Sequence, residues 1–329
     1  MVFCLPGFIL VIILLLILKI FQKFSTAWDH SQTCLVGKTA IVTGANTGIG
    51  YHTALDFAKR GARVILACRN KEKAEKAKHK IIEQTGNSNV TIGVVDFASL
   101  ASVRAFVRQI KETEDRLDIL VNNAGALSIP NCTTDDGLNL LMQTNYFGPT
   151  LLTLLLIDLL KKSTPSRIVN VSSIGGHLPK LDSNDLNAWP RMGIDLFSRG
   201  VNYGNSKLCT TLFTNELARR LSGSGVTVNS LHPGFVKTEI TRGIPYILKV
   251  ISDVFLDLFF KSPEEGAQTS IYVAVSKDIE GVTGEYFENC KIAWLPPMSQ
   301  LARDEKLARK VWDKTEKYIN LTAEEKRLL

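Results

Sequence analysis

The chain has 329 residues, 45% of them hydrophobic and 22% charged, which excludes a disordered, collagen-like or coiled-coil protein. Its length allows two domains or one large α/β domain. Lysine and arginine number 39 against 32 acids, a net charge of +7, with no run of five cations. A nucleic-acid partner therefore has little support; an anionic small molecule or a membrane face accounts for the charge as well. The six cysteines form no Cys-x-x-Cys pair and the five histidines have no zinc spacing, so reduced thiols and no metal are expected.

From Met1 to Leu18 no residue is charged, and Phe8–Leu18 reads FILVIILLLIL. At about 1.5 Å per residue this nearly matches the hydrocarbon thickness of a bilayer. Lys19 and Lys23 follow the run, and FQKFSTAWDH is poor cleavage chemistry, which favours an uncleaved anchor over a signal peptide. The positive-inside rule then puts the rest of the chain on the cytosolic side, most simply of the endoplasmic reticulum. The expected organisation is an anchor (1–24), a linker (25–37), one catalytic domain (38–320) and a polar tail (321–329).

From Lys38 onward, β-branched runs alternate with helical patterns. KTAIVTG leads through a Gly-rich turn into a helix over Tyr51–Arg60. RVILACR and a helix over Lys71–Gln84 follow, then VTIGVVD and a helix near Leu100–Glu114. DILVNNAG precedes helix through Asn145 and Leu151–Leu160; RIVNVSS, a long insertion, a helix around Tyr203–Leu221 and VTVNSLHPG complete the pattern. This alternation predicts an α/β fold, a doubly wound, mainly parallel Rossmann-type sheet with helices on both faces and ligands along one edge.

The first strand runs into Thr43-Gly44-Ala45-Asn46-Thr47-Gly48-Ile49-Gly50. Glycines 44, 48 and 50 allow close backbone approach to a pyrophosphate, and the helix that opens there aims free N–H groups and its positive dipole end at it. Gly44, Asn46, Thr47, Gly48, Ile49 and Gly50 are thus candidate cofactor contacts. At the end of the second strand an acid would select NAD. Cys68 and Arg69 stand there instead, and a guanidinium suits the 2′-phosphate of NADP(H). Asp96, after VTIGVVD, either accepts from the adenine amino group or caps the next helix.

TGANTGIG, Asn122-Asn123-Ala124-Gly125, Asn145, Ser172-Ser173 and Tyr203-Gly-Asn-Ser-Lys207, in this order, resemble the short-chain dehydrogenases/reductases over about residues 36–290. The anchor, LACRN, HPGFVKTEI and the segment from Trp294 through Trp312 resemble the membrane-anchored retinol dehydrogenase branch. The resemblance implies that Tyr203 is the proton donor or acceptor, that Ser173 holds the substrate oxygen, and that Asn145 kinks its helix and positions water for a relay through Lys207. It also implies that Asn123 and Gly125 touch the cofactor and that Thr238 clasps the nicotinamide amide. Independently of it, Tyr203 and Lys207 share a helix face at i and i+4, where an ammonium favours phenolate over a phenol of pKa about 10. Ser172 and Ser173 point to opposite faces of a strand, so only one of them can enter the site.

Two segments are candidate walls for a substrate pocket. The 29 residues between Ser173 and Tyr203 carry Leu178, Leu181, Leu186, Trp189, Met192 and Phe197, with a lid expected near 177–200; a second lid is expected near 240–262, whose stretch 244–260 is strongly apolar. The expected substrate is an apolar alcohol/carbonyl pair, with retinol and retinal leading by resemblance. The alternatives are a steroid or fatty-carbonyl reductase and a non-catalytic NADP-binding scaffold on membranes. A homodimer is compatible with this reading. Sequons at Asn89, Asn131, Asn170 and Asn320 are discounted, because Asn170 lies in a core strand and the domain is expected in the cytosol.

Overall fold

Strand formation follows the apolar, β-branched runs, which bury both faces when helices cover a sheet on both sides. The computed structural model describes residues 19, 20, 23, 26–127, 129–177, 181–189, 195–236, 260–293 and 300–328. Within these, β1 (Thr39–Thr43), β2 (Arg63–Cys68), β3 (Val90–Val94), β4 (Ile119–Asn122), β5 (Ser166–Val171), β6 (Val226–His232) and β7 (Tyr286–Glu288) run parallel, and β8 (Lys291–Ile292) returns antiparallel. Their order is β3-β2-β1-β4-β5-β6-β7-β8. The chain order reverses between β1 and β4, and ligands bind at such a switch point beyond the carboxyl ends of the strands.

One face of the sheet is covered by α1 (Gly48–Lys59), α2 (Lys71–Thr85) and α8 (Pro263–Val275), whose Phe57, Ala74 and Ile271 pack on Val42, Val64 and Val169. The other face carries α3 (Leu100–Thr113), α4 (Leu140–Met142), α5 (Gly148–Leu155), α6 (Ile157–Lys162), α7 (Asp195–Arg220) and α9 (Glu305–Tyr318). Complete burial of Phe57 or Phe106 stabilises by roughly 1.5–3 kcal/mol each. Helix α8 starts with a reciprocal capping box between Ser262 and Glu265 and a proline in its first turn.

The expected helix boundaries move at two places that matter for the site. Helix α1 begins at Gly48 inside the glycine-rich turn, and α7 begins at Asp195, two turns before Tyr203. The pair β7 and β8 and the helices α9 and α10 (Ala323–Lys326) had no individual expectation from the sequence. Helix α9 docks on α7 through Trp312, stacked on Phe213 at 5.5 Å between ring centroids and covered by the Arg220 guanidinium at 4.2 Å. The final residues, read as a polar tail, are tied down: Arg104 bonds Glu325 at 2.9 Å and the Ile319 carbonyl at 3.0 Å.

The linker is also tied down. Thr26 and Leu35 are buried, the Ala27 N–H donates to Asn289 Oδ1 (2.9 Å), the Asp29 N–H to Gln268 Oε1 (3.1 Å), and Arg60 binds Asp29 (2.8 Å) and the Ser31 carbonyl (2.6 Å). The apolar run 1–18 and most of the lid 240–262 lie outside the described residues, as do 178–180 and 190–194 of the other lid. Among the described residues no helix is long and apolar enough to cross a membrane.

Candidate active site

The turn after β1 owes its shape to packing as much as to any ligand. Gly44 and Gly48 have φ of +66° and +61°. A Cβ on Gly50 would lie 2.4 Å from Asn123 Nδ2 and 2.6 Å from the Gly44 carbonyl, whereas one on Gly48 would meet nothing within 4 Å. Gly50 is therefore required by the protein itself, and Gly48 by its left-handed backbone beside open space. Thr47 is the N-cap of α1 but makes no side-chain cap, so the first N–H groups of the helix, from Gly48, Ile49 and Gly50, stay available to an anion.

Around this turn the side chains act inward. The Thr43 hydroxyl accepts from the Asn123 and Ala124 N–H groups (both 2.9 Å), and Asn123 Nδ2 donates to the Thr43 carbonyl (2.8 Å). Asn123 thus latches the ends of β1 and β4, a role that the sequence pattern alone did not assign to Thr43. At the end of β2, the Cys68 thiol is buried and bonded by the Ala45 and Asn46 backbones; burial pushes its pKa up to about 11. Arg69 beside it is exposed and, among the described residues, pairs with no carboxylate. The cap on α3 is Ser99, which accepts from Ser102 N–H (3.2 Å). Asp96 instead closes a turn onto the Ala98 N–H (3.0 Å).

Asn145 sits in a π-helical turn, Gln143–Phe147, that interrupts the helix between α4 and α5. Such bulges cluster at functional sites because they re-aim backbone and side chain. Its Oδ1 accepts from the Ala126 N–H and its Nδ2 donates to the Ala126 carbonyl, both at 2.8 Å, with Ser206 Oγ 3.3 Å from Nδ2. The Asn145 amide is therefore a clamp on the loop after β4. Gly125 lies in that loop; a Cβ there would come within 3.3 Å of Lys207 Nζ and 3.6 Å of Asn145 Oδ1.

Helix α7 brings Tyr203 and Lys207 to the end of β5, with Lys207 Nζ 5.6 Å from the centre of the Tyr203 ring. Lys207 is 4% exposed and donates to the Val171 carbonyl (2.8 Å). Burial lowers its pKa to about 8. The Ser173 hydroxyl bonds the Tyr203 phenol and accepts from the Gly175 N–H (3.1 Å). The i, i+4 spacing by itself predicts that Lys207 acidifies Tyr203. In the folded chain burial is the larger influence and raises the phenol pKa, with the Ser173 bond opposing it. Close by, His232 Nδ1 accepts from the Ile174 N–H (3.4 Å) and steadies the turn that carries Ser173. Thr238, the expected nicotinamide clasp, lies outside the described residues.

The two serines have separate environments. Ser172 is 2% exposed and bonds the Lys207 carbonyl (3.0 Å) and Thr211 Oγ1 (3.1 Å), beneath α7. Ser172→Ala is expected to lower stability by about 1 kcal/mol and leave turnover within a few-fold. Ser173→Ala should reduce kcat at least tenfold with little change in melting temperature. Steady-state rates and thermal unfolding of the two variants check this ranking.

The arrangement combines a phosphate-receptive helix start, a phenol–hydroxyl pair and a buried ammonium on one sheet edge. The short chain dehydrogenase family pattern matches residues 38–183 and 191–245. The chain is 45% identical over 312 residues to retinol dehydrogenase 11 of Mus musculus, covering 93% of this chain and 96% of that protein. It is 44% identical over 298 residues to retinol dehydrogenase 13 of Homo sapiens, covering 89% and 88%. Among solved structures, the RhlG/NADP active-site complex of Pseudomonas aeruginosa superposes with a TM-score of 0.61 at 27% identity, covering 79% of this chain and 97% of that one. With a parallel sheet, a nicotinamide-type phosphate turn and relatives of this closeness over nearly its whole length, the chain belongs to the short-chain dehydrogenase/reductase family, within its retinol dehydrogenase branch.

Proposed function

We propose that this oxidoreductase is membrane-anchored and uses NADP(H) to interconvert retinol and retinal, or a closely similar apolar alcohol/aldehyde pair. The observation that carries the reading is the Ser173–Tyr203 hydrogen bond beside buried Lys207, on the edge where α1 opens uncapped. The residues fit a dinucleotide: the α1 N-terminus offers unpaired N–H groups, and exposed Arg69 follows a thiol where an acid would repel a 2′-phosphate. When bound, NADPH supplies the hydride that reduces the carbonyl carbon. Tyr203 and Ser173 hold the carbonyl oxygen between them, and the Tyr203 phenol gives it a proton. Lys207 places a positive charge behind the phenol, which favours the phenolate left after transfer. Asn145 fixes the loop after β4, and Gly125 keeps the space above Lys207 open.

The test is a reductase assay on retinal, a steroid ketone and a fatty aldehyde with each nicotinamide. Turnover of retinal with NADPH is expected, and Cys68→Asp with Arg69→Ala should shift kcat/KM toward NADH. One charge-assisted phosphate contact contributes about 1.5–3 kcal/mol, so the shift should be one to two decades. Equal kcat/KM for the two cofactors in the unmodified protein would contradict NADP(H) selection. Failure on every carbonyl would favour the scaffold reading.

A further inference from the structure

The strap formed by residues 26–35 does more than join an anchor to a domain. It is stapled at both ends and runs from one edge of the sheet to the other. At its start, Ala27 donates to Asn289, which directly follows the last residue of β7. Because β7 runs parallel to β6, Asn289 lies at the carboxyl edge, as do Gly44 after β1 and Ser172 after β5. At its end, the strap delivers Lys38 to the opposite edge, where β1 begins.

Exposed apolar side chains gather where the strap starts. Asn289 Oδ1 also accepts from Lys261 Nζ (3.2 Å), and the Lys261 N–H donates to the Phe235 carbonyl (2.7 Å). Phe235 is 57% exposed and packs edge-on to Phe260 at 5.8 Å between centroids. Trp28, beside Ala27, is 41% exposed, and Ile292, three residues beyond Asn289, is 38% exposed. Lys291, next to Ile292 in β8, is exposed. Aromatic rings with neighbouring lysines are the composition of surfaces seated at a lipid–water boundary. The uncharged run ends at Leu18, nine residues before Ala27, a span of roughly 30 Å at full extension.

We infer that the strap orients the domain with the Asn289 corner against the bilayer, so that Trp28, Phe235 and Ile292 meet the lipid interface and the substrate site opens toward the membrane. This rests on the anchored reading proposed above. A long apolar substrate would then pass from lipid to the Ser173–Tyr203 pair without crossing bulk water, whose exclusion of apolar surface would otherwise oppose the transfer.

The full-length protein in phosphatidylcholine vesicles provides the test, with bromine on the lipid acyl chains near the headgroup as a contact quencher. Trp28→Phe should remove a quenched component from the emission. In that background Phe235→Trp should add a component that brominated lipid quenches. Val36→Trp, at the opposite edge where Val36 is 73% exposed, should add one that it does not quench. An unchanged melting temperature certifies each variant as folded. Vesicle-bound protein with Phe235→Trp unquenched, or Val36→Trp quenched equally, overturns the orientation and leaves the reductase reading intact. Quenching as expected with no turnover of any carbonyl would instead overturn the function and leave the orientation standing. Release from the vesicles by alkaline carbonate removes the anchor, and the orientation with it.

Discussion

Tyr203→Phe should lower the rate of NADPH-dependent retinal reduction by about 10²–10⁴-fold, the usual contribution of a positioned general acid. The substitution removes one oxygen and keeps the ring, whose edge lies against Gly175. Folding and cofactor affinity should therefore stay near the parent's, and the loss should appear in kcat. The pH dependence has a definite sign. Burial raises the phenol pKa above its ordinary value of 10.0, so the protonated donor form persists through neutral and mildly alkaline pH. Reduction should hold its rate up to about pH 8 and fall above it as Lys207 loses its proton, while the oxidation of retinol, which needs phenolate, should rise with pH up to that point. Rates in both directions from pH 6 to 10, for parent and variant, check this. A variant that retains more than a tenth of parental kcat would show that another group delivers the proton.

Lys207→Met should abolish most activity without weakening the cofactor-free fold. The ammonium is buried and donates to the Val171 carbonyl, and its pKa falls from 10.5 to about 8. Between those values the unfolded chain holds a proton that the folded chain has released, so stability rises as pH increases from about 8 to 10.5. Below pH 8 the buried charge lowers stability by ~3 kcal/mol relative to alkaline pH. Methionine removes that penalty but leaves the Val171 carbonyl without its donor, a loss of about 1–3 kcal/mol. The two nearly cancel, and urea unfolding at pH 7 should give a stability equal to the parent's or up to ~2 kcal/mol higher. The alkaline rise should disappear. Reduction should fall at least 10²-fold, because the charge behind the phenolate is gone. A variant several kcal/mol less stable at pH 7 would show that the ammonium stabilises the fold. The lysine would then be structural rather than held at a cost for chemistry.

The parallel sheet, the phosphate turn, and the helix face shared by Tyr203 and Lys207 were legible in the sequence because each depends on local chemistry. Strand and helix periods set the alternation, glycine spacing the turn, and the i, i+4 interval the shared face. Other features depend on residues far apart in the chain, and only the tertiary structure decided them. The requirement for Gly50 comes from Asn123, which no local pattern connects to it. The clamp of Asn145 on Ala126 joins residues 19 apart in the chain, which no local pattern connects. The direction of the Tyr203 pKa shift followed from burial, which spacing cannot reveal. The segment 26–35 read as a linker because it has no periodicity. Its course across the domain is set by Asn289, Gln268 and Arg60, two of them more than 230 residues away, and by single hydrogen bonds whose partners only folding brings within reach.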